Sequence, residues 1–233
     1  MHYKLPSMKL LTYLLLSFFT FEAYAQDKPQ INQFQFGINI SPDYSFISYP
    51  FFYERPKLGF TTGLNASYQL NQRISLETGL HYSNKGCQTE TIDIVLFEPD
   101  PAAPTQAKYI YNLHFIDIPL KANLYFGSGK SRFFTSVGLT TNFYINETQA
   151  NIYTYAARTE RETITTNRDL RKVNFSPTLS FGFDYQINAQ NHIRFEPTVR
   201  CALLPLSNNA TPGNLPSGQL YNAGLNISYY FGR

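Results

Sequence analysis

Gly59-Phe60-Thr61-Thr62-Gly63-Leu64-Asn65-Ala66-Ser67-Tyr68-Gln69-Leu70 is the stretch that decides the fold. Phe60, Thr62, Leu64, Ala66, Tyr68 and Leu70 fall on one face of an extended chain. Gly59, Thr61, Gly63, Asn65, Ser67 and Gln69 fall on the other. A repeat of two is the repeat of a β-strand, whose successive side chains point to opposite sides. The stretch is longer than the roughly 5–6 residues of an ordinary strand. It is long enough for the roughly 9–11 residues that a tilted strand needs to cross a bilayer.

The same alternation recurs along the chain. Phe34, Phe36, Ile38 and Ile40 begin it, and Ile74, Leu76, Thr78, Leu80 and Tyr82 follow the quoted stretch. Ile116 to Phe126, Phe133 to Ile145, Val173 to Ile187, Ile193 to Leu203 and Tyr221 to Phe231 complete eight strands. The connections alternate too. Asn71–Arg73, Gly127–Arg132 and Asn188–Gln190 are short; Tyr49–Lys57, Asn84–Lys108, Asn146–Arg171 and Leu204–Ser217 are long. Short periplasmic turns and long extracellular loops are the plan of an outer-membrane barrel. Lipid offers no hydrogen bonds to a strand edge, so such a sheet must close. The expected fold is therefore all-β: an eight-stranded antiparallel up-and-down transmembrane barrel in the cell outer membrane.

Composition narrows the classes. Charged residues are 15% and aromatics 16% of the 233 residues, with no Trp. Mean hydropathy is −0.28, so the polarity comes from uncharged side chains. A disordered chain would be charged and poor in aromatics. A helical membrane protein would carry long apolar runs. A soluble eight-stranded, lipocalin-like barrel shows the same alternation with its faces exchanged. Its outer face would carry about a quarter or more of charged residues. The polar face here is mainly Gly, Asn, Ser and Thr, which suits a narrow interior better.

The N-terminus reads as an export signal. Lys9 precedes an apolar run from Leu10 to Phe21, followed by Ala23-Tyr24-Ala25. A positive start, a short apolar stretch and an A-x-A site describe a secretory signal peptide. The expected organisation is a signal peptide over 1–25, with Met8 as an alternative start, a periplasmic segment over 26–32 and the barrel over 33–233. Taking Lys4, Lys9 and Glu22 away from 19 basic and 16 acidic residues leaves a net charge of +2. That is no nucleic-acid footprint.

Glu77-Thr78-Gly79-Leu80-His81-Tyr82-Ser83-Asn84-Lys85-Gly86, the segment Phe115 to Leu124 with Asp117 before Ile118-Pro119-Leu120, and the final Ile227-Ser228-Tyr229-Tyr230-Phe231-Gly232-Arg233 resemble the PorT-like outer-membrane β-barrel family common in Bacteroidota. The resemblance implies an eight-stranded barrel whose last strand ends near an aromatic read by the barrel-insertion machinery. Phe231 matches that position, two residues before the end. One family member takes part in type IX secretion and most have no assigned activity, so no function transfers.

Inward charges carry the chemistry. Glu77, Lys121, Asp184, Arg194 and Glu196 fall two to five residues above the short turns; His81, Asp117 and Arg200 fall higher. A barrel of eight strands is filled by side chains rather than by water, and a charge buried unpaired costs several kcal/mol. Glu77, Asp117, Lys121, Asp184, Arg194, Glu196 and Arg200 are thus expected to form an interior network of ion pairs, with a proton or ion path as the other reading. The turn at Asn188–Gln190 sets a register. Pairing Ile187 with Asn191 puts Phe183 opposite Phe195, Tyr185 opposite Ile193 and Asp184 opposite Arg194. The competing register would set Asp184 against Glu196, and like charges directly opposite destabilise a sheet.

Other expectations are local. Pro119, Pro177 and Pro197 interrupt strands, so bulges or strand ends are expected there. The apolar phase shifts near Phe115–Ile116, which predicts a bulge. Tyr68, Tyr82, Tyr125, Phe126, Tyr185 and Tyr229 are expected in interfacial girdles. The third strand is expected to continue past the membrane through Thr89 to Leu96, with its turn at Glu98–Pro104. Ile152–Tyr155 and Thr163–Thr166 are expected to pair around Arg158–Arg161. Cys87 and Cys201 lie on strands nearly opposite in the ring and are expected to stay unpaired.

The expected role is non-enzymatic and structural: long loops presented to a partner, with a secretion or envelope complex as the setting. No spacing assembles Ser, His and carboxylate or a metal-ligand set, and no cofactor is expected. A small pore or transporter is the alternative, and a lipid-modifying outer-membrane enzyme a more distant one. The expected partners are outer-membrane lipid, the barrel-insertion machinery and a protein at the extracellular loops.

Overall fold

The computed structural model describes residues 33–48, 54–96, 100, 102–127, 129–166, 170–188, 190–207 and 218–231. The signal peptide over 1–25, Met8 and the segment over 26–32 lie outside them, as do Glu98, Pro99 and Pro101 of the expected turn. The strands are β1 (Gln33–Ser48), β2 (Glu54–Gln69), β3 (Ile74–Thr89), β4 (Ile92–Asp93), β5 (Gln106–Phe126), β6 (Ser131–Thr154), β7 (Thr159–Thr166), β8 (Val173–Gln186), β9 (His192–Cys201) and β10 (Gln219–Phe231). Antiparallel pairing runs β1-β2-β3-β5-β6-β8-β9-β10 and returns to β1, closing eight of the described strands into a barrel. β4 and β7 stand above the ring, bonded to β5 and β6.

Burial is inverted relative to a soluble barrel. Leu64 is 62% exposed and Val137 64% exposed, while Arg194 is 1% exposed. Phe36, Ile38, Ile40, Leu80, Leu120, Leu139 and Leu179 share the outer wall; Asn39, Ser41, Asn65, Ser136 and Thr178 face inward. An apolar outside around a polar inside is what lipid requires. It excludes the lipocalin-like alternative.

Three of the eight wall strands run far past the expected ends. β1 continues from Ser41 to Ser48 because the alternation survives Pro42: Asp43 and Ser45 are buried, Tyr44 and Phe46 exposed. β5 starts at Gln106 and β6 runs to Thr154, so much of the expected loops over 84–108 and 146–171 is sheet. The third strand stops at Thr89, and Ile92–Asp93 form the separate β4. The β6–β7 hairpin turns at Tyr155–Arg158, not at Arg158–Arg161, and Thr163 pairs with Ala150.

Two bulges accompany the closure. One residue is extra on β2 between Pro56 and Phe60. There Gly86 of β3 adopts φ +146°, where a Cβ would lie 2.0 Å from the Tyr111 carbonyl oxygen. The second bulge lies where the phase shift was read, but on the partner strand: Ile145 of β6 is extra opposite His114 and Phe115. β5 itself keeps phase, and Leu113 and Phe115 point inward with Asp117 and Lys121.

Pro119, Pro177 and Pro197 do not create the expected bulges or strand ends. Around Pro119 the β3–β5 ladder skips from Thr78–Leu120 to His81–Asp117 without a change of register. Around Pro197 the β8–β9 ladder skips from Ser180–Thr198 to Phe183–Phe195 in the same way. Pro177 stays paired with Leu139. Losing a rung costs about one hydrogen bond; slipping by one residue would turn every lipid-facing side chain inward.

Aromatics gather at both ends of the outer wall. Phe34 and Tyr68, Phe133 and Phe183, and Phe183 and Tyr185 are in ring contact near the short turns. Phe46 and Tyr221, and Phe60 and Tyr82, are in contact toward the other end. Tyr125 is the exception among the expected girdle residues: it is buried inside the barrel, on the odd-numbered face of β5.

Candidate functional site

The alternation of each strand decides which side chains enter the lumen, and the closure of the ring decides which of them meet. Glu77 on β3 and Lys121 on β5 are cross-strand partners, with Lys121 Nζ 2.8 Å from Glu77 Oε1. Lys121 also donates to both carboxylate oxygens of Glu196 on β9, at 2.9 and 3.0 Å. Ser180 donates to the same carboxylate at 2.5 Å. From β9, Arg194 donates across the lumen to Glu77 and to the Tyr125 hydroxyl. Its guanidinium lies over the rings of Tyr230 and Phe134, at 4.6 and 4.7 Å.

The turn register is the one that pairs Ile187 with Asn191. Ile187 N–H donates to the Asn191 carbonyl at 2.9 Å, and Asp184 stands opposite Arg194. Yet Arg194 leans away from Asp184, 3.6 Å off, toward Glu77. Asp184 lies instead between Arg194 and Arg132, the latter at 3.5 Å. In charge-assisted geometry the shorter, aligned contact dominates.

A second cluster sits higher. Asp117 on β5 accepts from Lys85 at 2.6 Å, Ser83 at 2.9 Å and Asn142 at 2.7 Å. Lys85 was not among the expected residues, nor was Asp43, which accepts from Ser41 at 2.8 Å and from Thr61. Both could have been found by carrying the odd-numbered phase of β3 past His81 and that of β1 past Ser41. Arg200 makes no close ion pair in either cluster, though its charge acts on Asp117 at longer range. It is buried beside Asn222 on the neighbouring strand, with no ion-pair partner among the described residues.

Above these clusters the lumen turns apolar. Ile47, Cys87, Leu113, Phe115, Tyr144, Ala202, Leu206 and Leu220 pack together at the end from which the arms rise. Polar groups thus fill the lower lumen and an apolar cap closes over them. Cys87 is buried in this cap and Cys201 half-buried on another strand, and no disulfide joins them.

Three histidines lie among the described residues. His81 hydrogen-bonds the Asn65 carboxamide at 2.6 Å, and His114 the Tyr82 hydroxyl at 2.6 Å and Thr148 at 3.2 Å. His192 stacks on Tyr230 at 4.8 Å.

Outside the barrel, β4, β5, β6 and β7 form one continuous sheet. Its ladders pair Ile92 with Ala107, Ala107 with Tyr153 and Tyr153 with Glu160. Tyr109 and Tyr153 meet edge to face at 6.5 Å.

A family model described as "Outer membrane protein beta-barrel domain" matches residues 24–210. No curated relative matches the chain. Among solved structures the chain is similar to the Neisserial surface protein A, NspA, with 9% identity, a TM-score of 0.48 and coverage of 86% of this chain and 97% of that one. It is similar to OprG of Pseudomonas aeruginosa at 11% identity and TM-score 0.43, covering 88% and 98%. It is also similar to Ail of Yersinia pestis at 9% identity and TM-score 0.41, covering 87% and 100%.

Proposed function

Because the chain belongs to the outer-membrane protein β-barrel domain family, we propose that it is a closed, non-enzymatic barrel that holds a rigid extracellular sheet for a protein partner. The carrying observation is strand length. β5 has 21 residues and β6 has 24, about twice the roughly 9–11 that lipid requires. The surplus forms the arms with β4 and β7. A partner-binding surface on loops or arms over a fixed scaffold is a common use of such architecture.

The lumen supports the same reading. Lys121, Glu77, Glu196 and Arg194 occupy its lower part in direct contact, and the apolar cap lies over the upper part. Such a filled interior holds the wall rigid rather than passing solutes. PorT-like kinship, and with it a secretion or envelope complex as the setting, belongs to this proposal. So does recognition of Phe231 by the barrel-insertion machinery. Phe231 lies on the exposed outer face opposite Phe36, on the strand pair that closes the ring.

Two measurements test the role. In planar bilayers the purified protein should give no large stable conductance steps; steps of porin size would favour the pore. Deleting 148–165 should leave a heat-modifiable, inserted barrel and abolish partner capture from native outer membrane. Capture that survives the deletion would overturn the role of the arms.

A further inference from the structure

Alternation sorts charge by face in the arms as it does in the wall. Glu160-Arg161-Glu162 on β7 puts two carboxylates on the face that continues the lumen, beside Tyr153 and Asn151. Arg161 goes to the opposite face, in one row with Ile152 and Lys108. Of the β7 residues all but Thr166 are exposed, and among the described residues β7 ends the strand order.

The free edge of β7 can be read residue by residue. At the turn, Tyr155 N–H donates to the Arg158 carbonyl at 2.8 Å. Bonded pairs alternate along an antiparallel ladder. Glu160, Glu162, Ile164 and Thr166 therefore bond β6, while Thr159, Arg161, Thr163 and Thr165 direct their N–H and C=O groups away from it. A row of outward amides and carbonyls is a template for another strand.

We propose that this edge receives an extended segment of a partner protein as the next strand, with a cation opposite Glu162 and a carboxylate opposite Arg161. The proposal rests on the partner-binding role above and names its chemistry. Charge selects the occupant. Glu160 is already held by Arg158 at 2.8 Å in the turn, whereas Glu162 faces Asn151 and has no ion-pair partner among the described residues. Opposite charges across a ladder attract and like charges repel. Ile164, 40% exposed on the same face as Glu162, asks for an apolar residue.

The test uses the full chain in detergent and two labelled peptides, Thr-Val-Thr-Lys-Glu-Lys-Thr and Thr-Val-Thr-Glu-Lys-Glu-Thr, read by fluorescence anisotropy at low salt. Aligned antiparallel, the first sets Val against Ile164, Lys against Glu162 and Glu against Arg161. It should bind at least about tenfold tighter than the second, a margin that several matched cross-strand pairs supply. The variant Arg161→Glu with Glu162→Lys should reverse the order. Thr163→Pro removes an N–H that points away from β6, so it should abolish peptide binding while heat-modifiable migration stays normal. Equal binding of the two peptides, retention by Thr163→Pro, exchange protection of the Thr163 amide without peptide, or a concentration-dependent dimer through β7 would each overturn the proposal. A native partner that needs 148–165 yet binds Thr163→Pro normally would sink the edge and leave the partner-binding role standing.

Discussion

Lys121 of β5 and Glu196 of β9 meet across the lumen, nitrogen to oxygen at 2.9 Å, although 75 residues separate them in the chain. The same ammonium lies 2.8 Å from Glu77. One cation thus ties three wall strands together in a volume with little access to water. Removing one partner of such a group leaves a buried charge unbalanced and costs about 3–5 kcal/mol. Lys121→Met should lower unfolding stability by about that much, measured by urea titration with gel mobility in lipid vesicles. Adding Glu196→Gln should restore most of the loss, since Glu77 keeps Arg194 as its partner. A neutral single substitution would mean that solvent reaches the cluster.

Arg194 offers a sharper test, because the local and the global geometry compete for it. Its cross-strand neighbour is Asp184, at 3.6 Å, but its hydrogen bonds go to Glu77, Tyr125 and Tyr230. A double-mutant cycle on Arg194 and Glu77 should give the larger coupling, at the upper end of the roughly 0.5–3 kcal/mol seen for contacting residues. The cycle on Arg194 and Asp184 should fall at the lower end. The reverse order would show that the strand ladder, and not the lumen, holds the guanidinium.

Leu120 is exposed on the outer wall and pairs with Leu139. In lipid, Leu120→Arg should destabilise the barrel by about 2–4 kcal/mol, the midplane cost of a cation on a barrel's lipid face. A soluble barrel would tolerate the change at an exposed site, so a negligible effect in vesicles would count against the membrane assignment of this row.

The thiols report on the cap. Cys87 is buried with Leu113 and Phe115, and Cys201 is half-buried. A membrane-impermeant maleimide should leave Cys87 unmodified in the folded barrel and label it after boiling, read by mass. Fast labelling of Cys87 in the folded state would show that the lumen opens at the arm end.

Much of this architecture was legible from alternation alone. The eight wall strands, their lipid-facing rows and the Ile187–Asn191 register follow from a two-residue period that the pleat enforces locally. Phase also holds the signals for Lys85 and Asp43, which keep the inward parity of β3 and β1. Tyr125 shows the opposite failure: its aromatic character pointed to a girdle, while its odd position on β5 put it inside, against Arg194. Parity is the stronger rule, since a side chain cannot change faces without a bulge.

What the chain determined by itself is which side of the wall each residue faces, because that depends only on neighbours in sequence and the extended backbone. What only the tertiary structure decided is which inward groups meet. Lys121 finds Glu196, Arg194 prefers Glu77 to Asp184, Arg200 is left beside Asn222, and Leu113 with Phe115 closes a cap instead of facing lipid. Those contacts depend on the stagger accumulated around the closed ring, including the extra residues on β2 and β6. Stagger is a property of all eight pairings together, and no single strand carries it in its own alternation.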